Sequence, residues 1–324
     1  MSSEPLLRIE NLNIEYIVLG GSIKAVRNVS FSINEGEIVC LVGESGSGKS
    51  TIGLAIAGAL PENAVIQGGK IIFQGRDVTD HNVRGGLRKG IMMIFQDPAA
   101  SFNPLFTIGE IMSDVIKTHL KLSDTKKIKE RALRMLRRVE LPDPERIFNS
   151  YPHELSGGML QRAIIATALS IDPKLLIADE PTTMLDVTLQ AQILELLLKL
   201  KADFRLSILF ITHNLGIAAE IGNRTIVMYG GEIVEETSSR ELISNPLHPY
   251  TRGLLECVPK TSIKYSKLKH IPGTIPDLRE PPSGCIFHDR CSEAMDICRT
   301  IKPPIEEARS DHRVACHLYS RRRK

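Results

Sequence analysis

The chain has 324 residues, 42% of them hydrophobic and 24% charged, with 41 basic against 38 acidic side chains. That composition excludes wholesale disorder, and a length near twice the ~150-residue domain scale predicts about two domains. A net charge of +3 is too balanced to indicate a nucleic-acid partner. No run of about 18 apolar residues occurs, so nothing is expected to span a bilayer by itself. The acidic start, MSSEPLLRIE, argues against a secretory signal.

In chain order, LRIENLNIEYIV and AVRNVSFSIN alternate apolar and polar residues around Gly20-Gly21, which predicts an antiparallel hairpin. EIVCLVG is a nearly continuous apolar strand of the kind buried in parallel sheets. It runs into a glycine-rich turn and an apolar helix expected from about Lys49 to Leu60. Strands are expected over 65–76 and at IMMIFQ. Residues 107–170 are predicted mostly helical, with an amphipathic stretch around Lys126 to Val139 and a helix from near Gly157. KLLIAD is a short buried strand, followed by a long helix over Val187 to Phe204, strand SILFIT and a helix from about Asn214. TIVMYGGEIVEE predicts a hairpin turning at Gly230-Gly231. Strands alternating with helices predict an α/β domain with a largely parallel sheet.

Beyond Pro246 prolines multiply and periodicity weakens. We expect a linker over 241–262 and a small irregular unit over 263–324, with RRRK a solvated tail. Residues 262–324 hold 13 Lys/Arg against 8 Asp/Glu, together with four of the six cysteines.

Residues 43–51, GESGSGKST, match G-x-x-x-x-G-K-[ST] between an apolar strand and a helix, the context that nucleotide binding by this motif requires. Gly43, Gly46 and Gly48, with Ser45 and Ser47 between them, let successive N–H groups turn toward one anion, and the helix start adds its positive end. Lys49 would reach the β- and γ-phosphates and Ser50 would ligate Mg²⁺, with Thr51 completing the set. Asp179 and Glu180 end the strand KLLIAD, where one carboxylate can hold hydrated Mg²⁺ and its neighbour can polarise the attacking water. Gln96 could orient water or touch Mg²⁺, and His213 could contact the γ-phosphate. Singly, these residues also read as a surface acid, a loop amide or a capping histidine. Together they stand at strand C-termini, where α/β sheets bind ligands.

LSGGM, Leu155 to Met159, followed by LQRA, resembles the signature of ATP-binding cassette (ABC) ATPases, and the resemblance covers residues 1–240. It implies a P-loop NTPase (RecA-like) nucleotide-binding domain with antiparallel β and helical subdomains, the helical one over about 97–165. It implies that Gln96 is the Q-loop glutamine, Asp179 and Glu180 the Walker B pair, Asp186 the D-loop aspartate and His213 the switch histidine. Tyr16 resembles the aromatic that stacks on adenine, with a strand tyrosine of the core as the alternative. Catalysis would fall to Glu180, His213 and Gln96, and Mg²⁺ to Ser50, Gln96 and Asp179. Two such cassettes pair head to tail, so Ser156, Gly157 and Gly158 of each would cap ATP held by the other. Met159 stands where glutamine is usual, outside the residues expected to face phosphate.

Only 60 positions separate Gln96 from Ser156, too few for the coiled-coil arm of chromosome-maintenance relatives. A transporter subunit served by separate membrane permeases fits best. HPYTRGLLECVP, His248 to Pro259, and the cysteines beyond it resemble ATPase subunits of dipeptide and oligopeptide importers, a subfamily that also takes up nickel and oligosaccharides. Cys285-x5-Cys291-x6-Cys298-x17-Cys316 offers four thiolates, enough for a tetrahedral site or one cubane cluster. Zinc ribbons prefer closer pairs, so zinc, which nearby His288, His312 and His317 keep possible, is the weaker reading, and two disulfides are a further alternative. The resemblance favours a [4Fe–4S] cluster of structural role. His288, His312 and His317 are expected at the surface, and Cys40 and Cys257 in the core.

The expectation is therefore an ATP-hydrolysing motor on the cytoplasmic face of the cell membrane, with peptide as default cargo. Its partners would be a second ABC ATPase forming a heterodimer, two permeases and an extracytoplasmic substrate-binding protein, and no nucleic acid. The alternatives are a soluble ABC ATPase acting on nucleic acid or ribosomes through its basic tail, and the regulatory half of an asymmetric pair.

Overall fold

A computed structural model describes residues 4–80, 88–257 and 270–320. The strands are β1 (Leu7–Val18), β2 (Gly21–Ile33), β3 (Ile38–Val42), β4 (Ala64–Phe73), β5 (Arg76–Asp77), β6 (Ile91–Ile94), β7 (Leu175–Asp179), β8 (Ser207–Thr212), β9 (Arg224–Tyr229), β10 (Glu232–Ser238), β11 (Glu306–Arg309) and β12 (His312–Val314). The helices are α1 (Lys49–Ala57), α2 (Pro98–Ser101), α3 (Ile108–Leu120), α4 (Thr125–Arg138), α5 (Pro144–Asn149), α6 (Gly157–Leu169), α7 (Val187–Phe204), α8 (Leu215–Ile221), α9 (Ser239–Ser244), α10 (Pro249–Glu256) and α11 (Asp296–Thr300). None of the described helices is long and apolar enough to cross a membrane.

The described residues form two compact units. The first takes in 4–34, 38–80, 210–257 and 270–320. Its β1 and β2 form the expected hairpin, paired from Leu7↔Ile33 to Val18↔Gly21, so Leu19 and Gly20 make the turn. Alternation buries Leu7 and Ile9 and, past a bulge where Asn11 has φ 46°, Leu12 and Ile14, and β4 covers the other edge of β1 to give the order β2-β1-β4-β5. All five residues of β3 are buried, as its unbroken apolar run requires, and it pairs parallel with β9. Gly230 and Gly231 turn β9 back into antiparallel β10.

The C-terminal stretch is more ordered than its weak periodicity suggests. Helices α9 and α10 occupy most of 239–256, where the sequence suggested a linker. A short hairpin, β11–β12, joins the edge of β10 through Glu235↔Val314 and Glu236↔Arg313. Such strands escape sequence reading because only His312 and Val314 of β12 are buried, too few to show a period. RRRK lies outside the described residues.

The three histidines expected at the surface are not there. His312 is wholly buried and its Nε2 meets Glu235 Oε1 at 2.7 Å. His317 is buried with Nε2 on the Ile301 carbonyl at 2.8 Å, and His288 places Nδ1 on the Cys285 carbonyl at 2.8 Å with its side chain 10% exposed. Each finds a partner that makes burial affordable, and no spacing rule reveals such partners. Cys40 is a core residue as expected, and burial pushes its thiol up to about 12. Cys257 is only half-buried, at the end of α10.

The second unit holds residues 35–37 and 88–209. Strands β6 and β7 pair parallel, from Ile91↔Leu175 to Ile94↔Ala178. Around them the helices begin on designed stops. Thr107 caps α3 in a capping box with Glu110, and Asp124 caps α4 through the N–H groups of Lys126 and Lys127. The buried stripe of α4, Ile128, Ala132, Leu133, Met135 and Leu136, is the helical face that the amphipathic stretch predicts.

Candidate nucleotide site and cysteine array

Strand β3 delivers the chain into residues 43–48, and α1 starts at Lys49. Two glycines there are required by contact. A Cβ on Gly43 would collide with the Met228 carbonyl oxygen, and one on Gly48, at φ 95°, with the Ala25 carbonyl oxygen. Lys49 is buried, its Nζ donating to the carbonyls of Gly43 and Glu44, each at 2.8 Å, and to Ser47 Oγ at 3.3 Å. The ammonium thus sits over the loop's own oxygens, charge-matched for an incoming phosphate. Buried Ser47 braces the turn by donating to the Glu44 carbonyl at 2.8 Å, while Ser45, Gly46 and Ser50 are exposed. Half-buried Tyr16, on β1, shares a hydrogen bond with Thr51 Oγ1 at 3.1 Å, which places the ring beside α1. His213 follows β8 and is exposed, directly before Asn214, which caps α8.

In the second unit Asp179 ends β7 and is buried. Glu180 follows at φ 46°, a left-handed backbone that a glutamate adopts only under constraint. Its Oε2 accepts from Gln96 Nε2 at 3.2 Å and Thr183 Oγ1 at 2.9 Å. Ser156 caps α6 by accepting from Met159 N–H at 3.4 Å. Gly157 is exposed at the helix start, and Gly158 is buried against Leu189. Asp186 caps α7, accepting from Thr188 N–H at 3.0 Å and Leu189 N–H at 2.9 Å.

Cys285, Cys291, Cys298 and Cys316 share one neighbourhood, with Cys285 N–H donating to the Cys298 carbonyl at 2.8 Å. Burial pushes Cys285 up to about 12 and Cys316 to about 11, and raises Cys291, with neighbouring sulfurs of the array adding to each of these three rises. Opposing this, the N–H groups of Phe287, Glu293 and Leu318 donate to the sulfurs of Cys285, Cys291 and Cys316, always from two residues on. Such donors favour the thiolate that binds a metal. Among the described residues no group of three or more His, Cys, Asp or Glu is gathered closely enough to hold a metal ion. The array therefore matches a metal by donor kind and not as a preformed cage.

The ABC transporter family model matches residues 26–183, and the model of the oligopeptide/dipeptide transporter C-terminal region matches 234–298. Dipeptide transport ATP-binding protein DppD of Bacillus subtilis is 42% identical over 324 residues, covering 98% of this chain and 96% of that protein. The chain belongs to the ABC transporter family. The DppD of Caldanaerobacter subterraneus is likewise 42% identical, over 97% of each chain. The ATP-binding cassette MJ0796, solved as a post-hydrolysis dimer with ADP and Pi, is 32% identical with a TM-score of 0.63, over 72% of this chain and 99% of that one.

For an ABC ATPase, the structure brings some of the expected residues into contact. Lys49 meets Gly43 and Ser47, Tyr16 meets Thr51, and Gln96 meets Glu180. Others cap their own helices, Ser156 on α6 and Asp186 on α7, and both remain exposed. Sequence reasoning missed Arg290, Tyr250 and Tyr229, which converge around Glu44 of the phosphate loop. HPYTRG draws attention to Tyr250, but no local pattern could connect position 290 with position 44.

Proposed function

We propose that this chain is the ATP-hydrolysing motor of a dipeptide/oligopeptide-type ABC importer, working peripherally on the cytoplasmic face of the membrane. One observation carries the reading. A phosphate loop with its lysine drawn over the loop carbonyls occurs in a chain similar end to end to dipeptide transport ATP-binding proteins. The loop N–H groups and Lys49 bind the triphosphate, with Tyr16 against the base. Glu180 positions the attacking water, with Gln96 orienting its carboxylate, and His213 steadies the γ-phosphate. Ser50, Gln96 and Asp179 offer the hard oxygen donors that Mg²⁺ prefers, and the ion when bound neutralises charge developing on the phosphates.

Ser156 and the opening N–H groups of α6 supply a second anion-binding end for the nucleotide of a partner ATPase, and a related but different subunit completes the pair. Two permeases and a substrate-binding protein complete the importer. Leu105, 78% exposed, and Phe106 before α3 offer apolar surface for a permease. Peptide is the cargo supported by the names of the relatives.

The finer reading of the tail is a [4Fe–4S] cluster on Cys285, Cys291, Cys298 and Cys316. It is supported by the four-sulfur donor set and by the three N–H groups donated to sulfur. The cluster would cross-link a proline-rich segment with little core of its own.

The test is uptake of a labelled dipeptide into proteoliposomes carrying the chain with its permeases, binding protein and MgATP. Uptake that is lost with Lys49→Ala supports the motor. ATP turnover without uptake, together with RNA or DNA retained through purification, sinks it in favour of a soluble nucleic-acid ATPase.

A further inference from the structure

Glu44, the second residue of the phosphate loop, is held at its carboxylate, its N–H and its carbonyl. Arg290 pairs with the carboxylate at two points, Nη1 to Oε2 at 2.7 Å and Nη2 to Oε1 at 3.1 Å. The Glu44 N–H donates to the Tyr250 hydroxyl at 2.9 Å, and its carbonyl accepts from Lys49 Nζ and Ser47 Oγ, each at 2.8 Å. Arg290 is itself fully engaged. Its Nε donates to the Pro272 carbonyl at 2.8 Å, Nη2 to the Ile271 carbonyl at 3.1 Å and Nη1 to the Tyr229 hydroxyl at 3.2 Å. Its side chain is 6% exposed and that of Glu44 28%. A guanidinium fork used at every nitrogen and seated over the Tyr229 ring can take one position only.

We propose that Arg290 and Tyr250 are positioning residues for the phosphate loop, through which the C-terminal cysteine segment sets nucleotide affinity. The inference rests on reading 43–51 as the nucleotide loop. Two physical effects point the same way. Arg290 neutralises a carboxylate that would otherwise stand unpaired beside a triphosphate. Tyr250 fixes the Glu44 peptide, whose carbonyl holds the Lys49 ammonium ready for transfer to phosphate. Arg290 directly precedes Cys291, so the fold of the cysteine segment decides where its guanidinium lies.

The experiment is equilibrium binding of a fluorescent ATP analogue with Mg²⁺ to the full-length chain, with circular dichroism and thermal midpoint as folding controls. Arg290→Met is expected to weaken binding about three- to tenfold, and Arg290→Lys, which keeps charge but loses the fork, by less. Adding Glu44→Gln to Arg290→Met should recover most of the loss, because no unpaired carboxylate remains, whereas lost packing would not be recovered. Tyr250→Phe, expected to weaken binding about two- to threefold, decides the matter if Arg290→Met does not fold. Wild-type affinity in the folded variant, or no recovery in the double variant, overturns the proposal. Lys49→Ala tells the two failures apart. If it binds as wild type does, or wild type itself does not bind, the nucleotide reading fails. If it loses binding while Arg290→Met keeps it, only the positioning role fails.

Discussion

Gln96 donates its amide to Glu180 at 3.2 Å, joining the second residue after β6 to the first residue after β7. Thr183 donates to the same carboxylate oxygen, and the left-handed backbone at position 180 aims the side chain toward both donors. This glutamate is oriented before any substrate arrives, as the water-positioning role proposed for it requires. Glu180→Gln keeps the shape and the hydrogen bonds but removes the proposed base. Phosphate release is expected to fall about 10²- to 10³-fold while MgATP binding persists. Hydrolysis at the wild-type rate would assign the base elsewhere.

Gly48 occupies a left-handed position with the Ala25 carbonyl in the space a Cβ would need. Gly48→Ala is expected to distort the loop, lowering the thermal midpoint and abolishing nucleotide binding. Gly36, also left-handed at φ 70° but open to solvent, is the control. Gly36→Ala pays only the backbone strain of about 1 kcal/mol, so its midpoint should lie well above that of Gly48→Ala. Equal losses would show that strain alone is responsible.

His248 is buried, and burial holds its pKa down at about 4, with the cation of Arg252 adding to the effect and Glu235 opposing it. Its ordinary value is 6.5, so between about 6.5 and 4 the unfolded chain binds a proton that the folded chain refuses. Stability is therefore complete above 6.5 and declines as pH falls toward 4, by up to about 3 kcal/mol. Burial pushes Glu235 up, but His312 and the N–H groups of Leu247 and His248 hold it below the usual carboxylate range, so its protonation adds a loss at still lower pH. Urea unfolding from pH 7 to 4 should show this decline, and His248→Phe should flatten it. An unchanged slope would clear His248 of the effect.

Iron content and absorbance near ~400 nm of anaerobically purified protein test the cysteine array. Wild type is expected to carry iron, and Cys298→Ser to lose both signals, because four thiolates become three. Wild-type protein without iron or absorbance sinks the cluster.

Much of the motor was legible in the sequence because its chemistry is local. GESGSGKST between an apolar strand and a helix predicts loop, helix start and lysine at once, and α1 starts at Lys49 as expected. The long helix falls over Val187–Phe204, as its pattern indicates. The C-terminal segment resisted because its partners are remote. His312 reads as a surface residue until Glu235, 77 positions away, is brought against it. Of two strands this short, only a few residues face the core, so no period can register.

By itself the sequence determined the α/β class, the phosphate loop and the family, since glycines, a lysine and apolar runs act within a few residues of one another. Tertiary structure alone decided what grips that loop. The ion pair of Arg290 with Glu44 spans 246 positions, and only chain folding can set a guanidinium within 3 Å of a carboxylate so distant in sequence. Burial then makes the choice binding, because a charge taken out of water must keep the partner that compensates it.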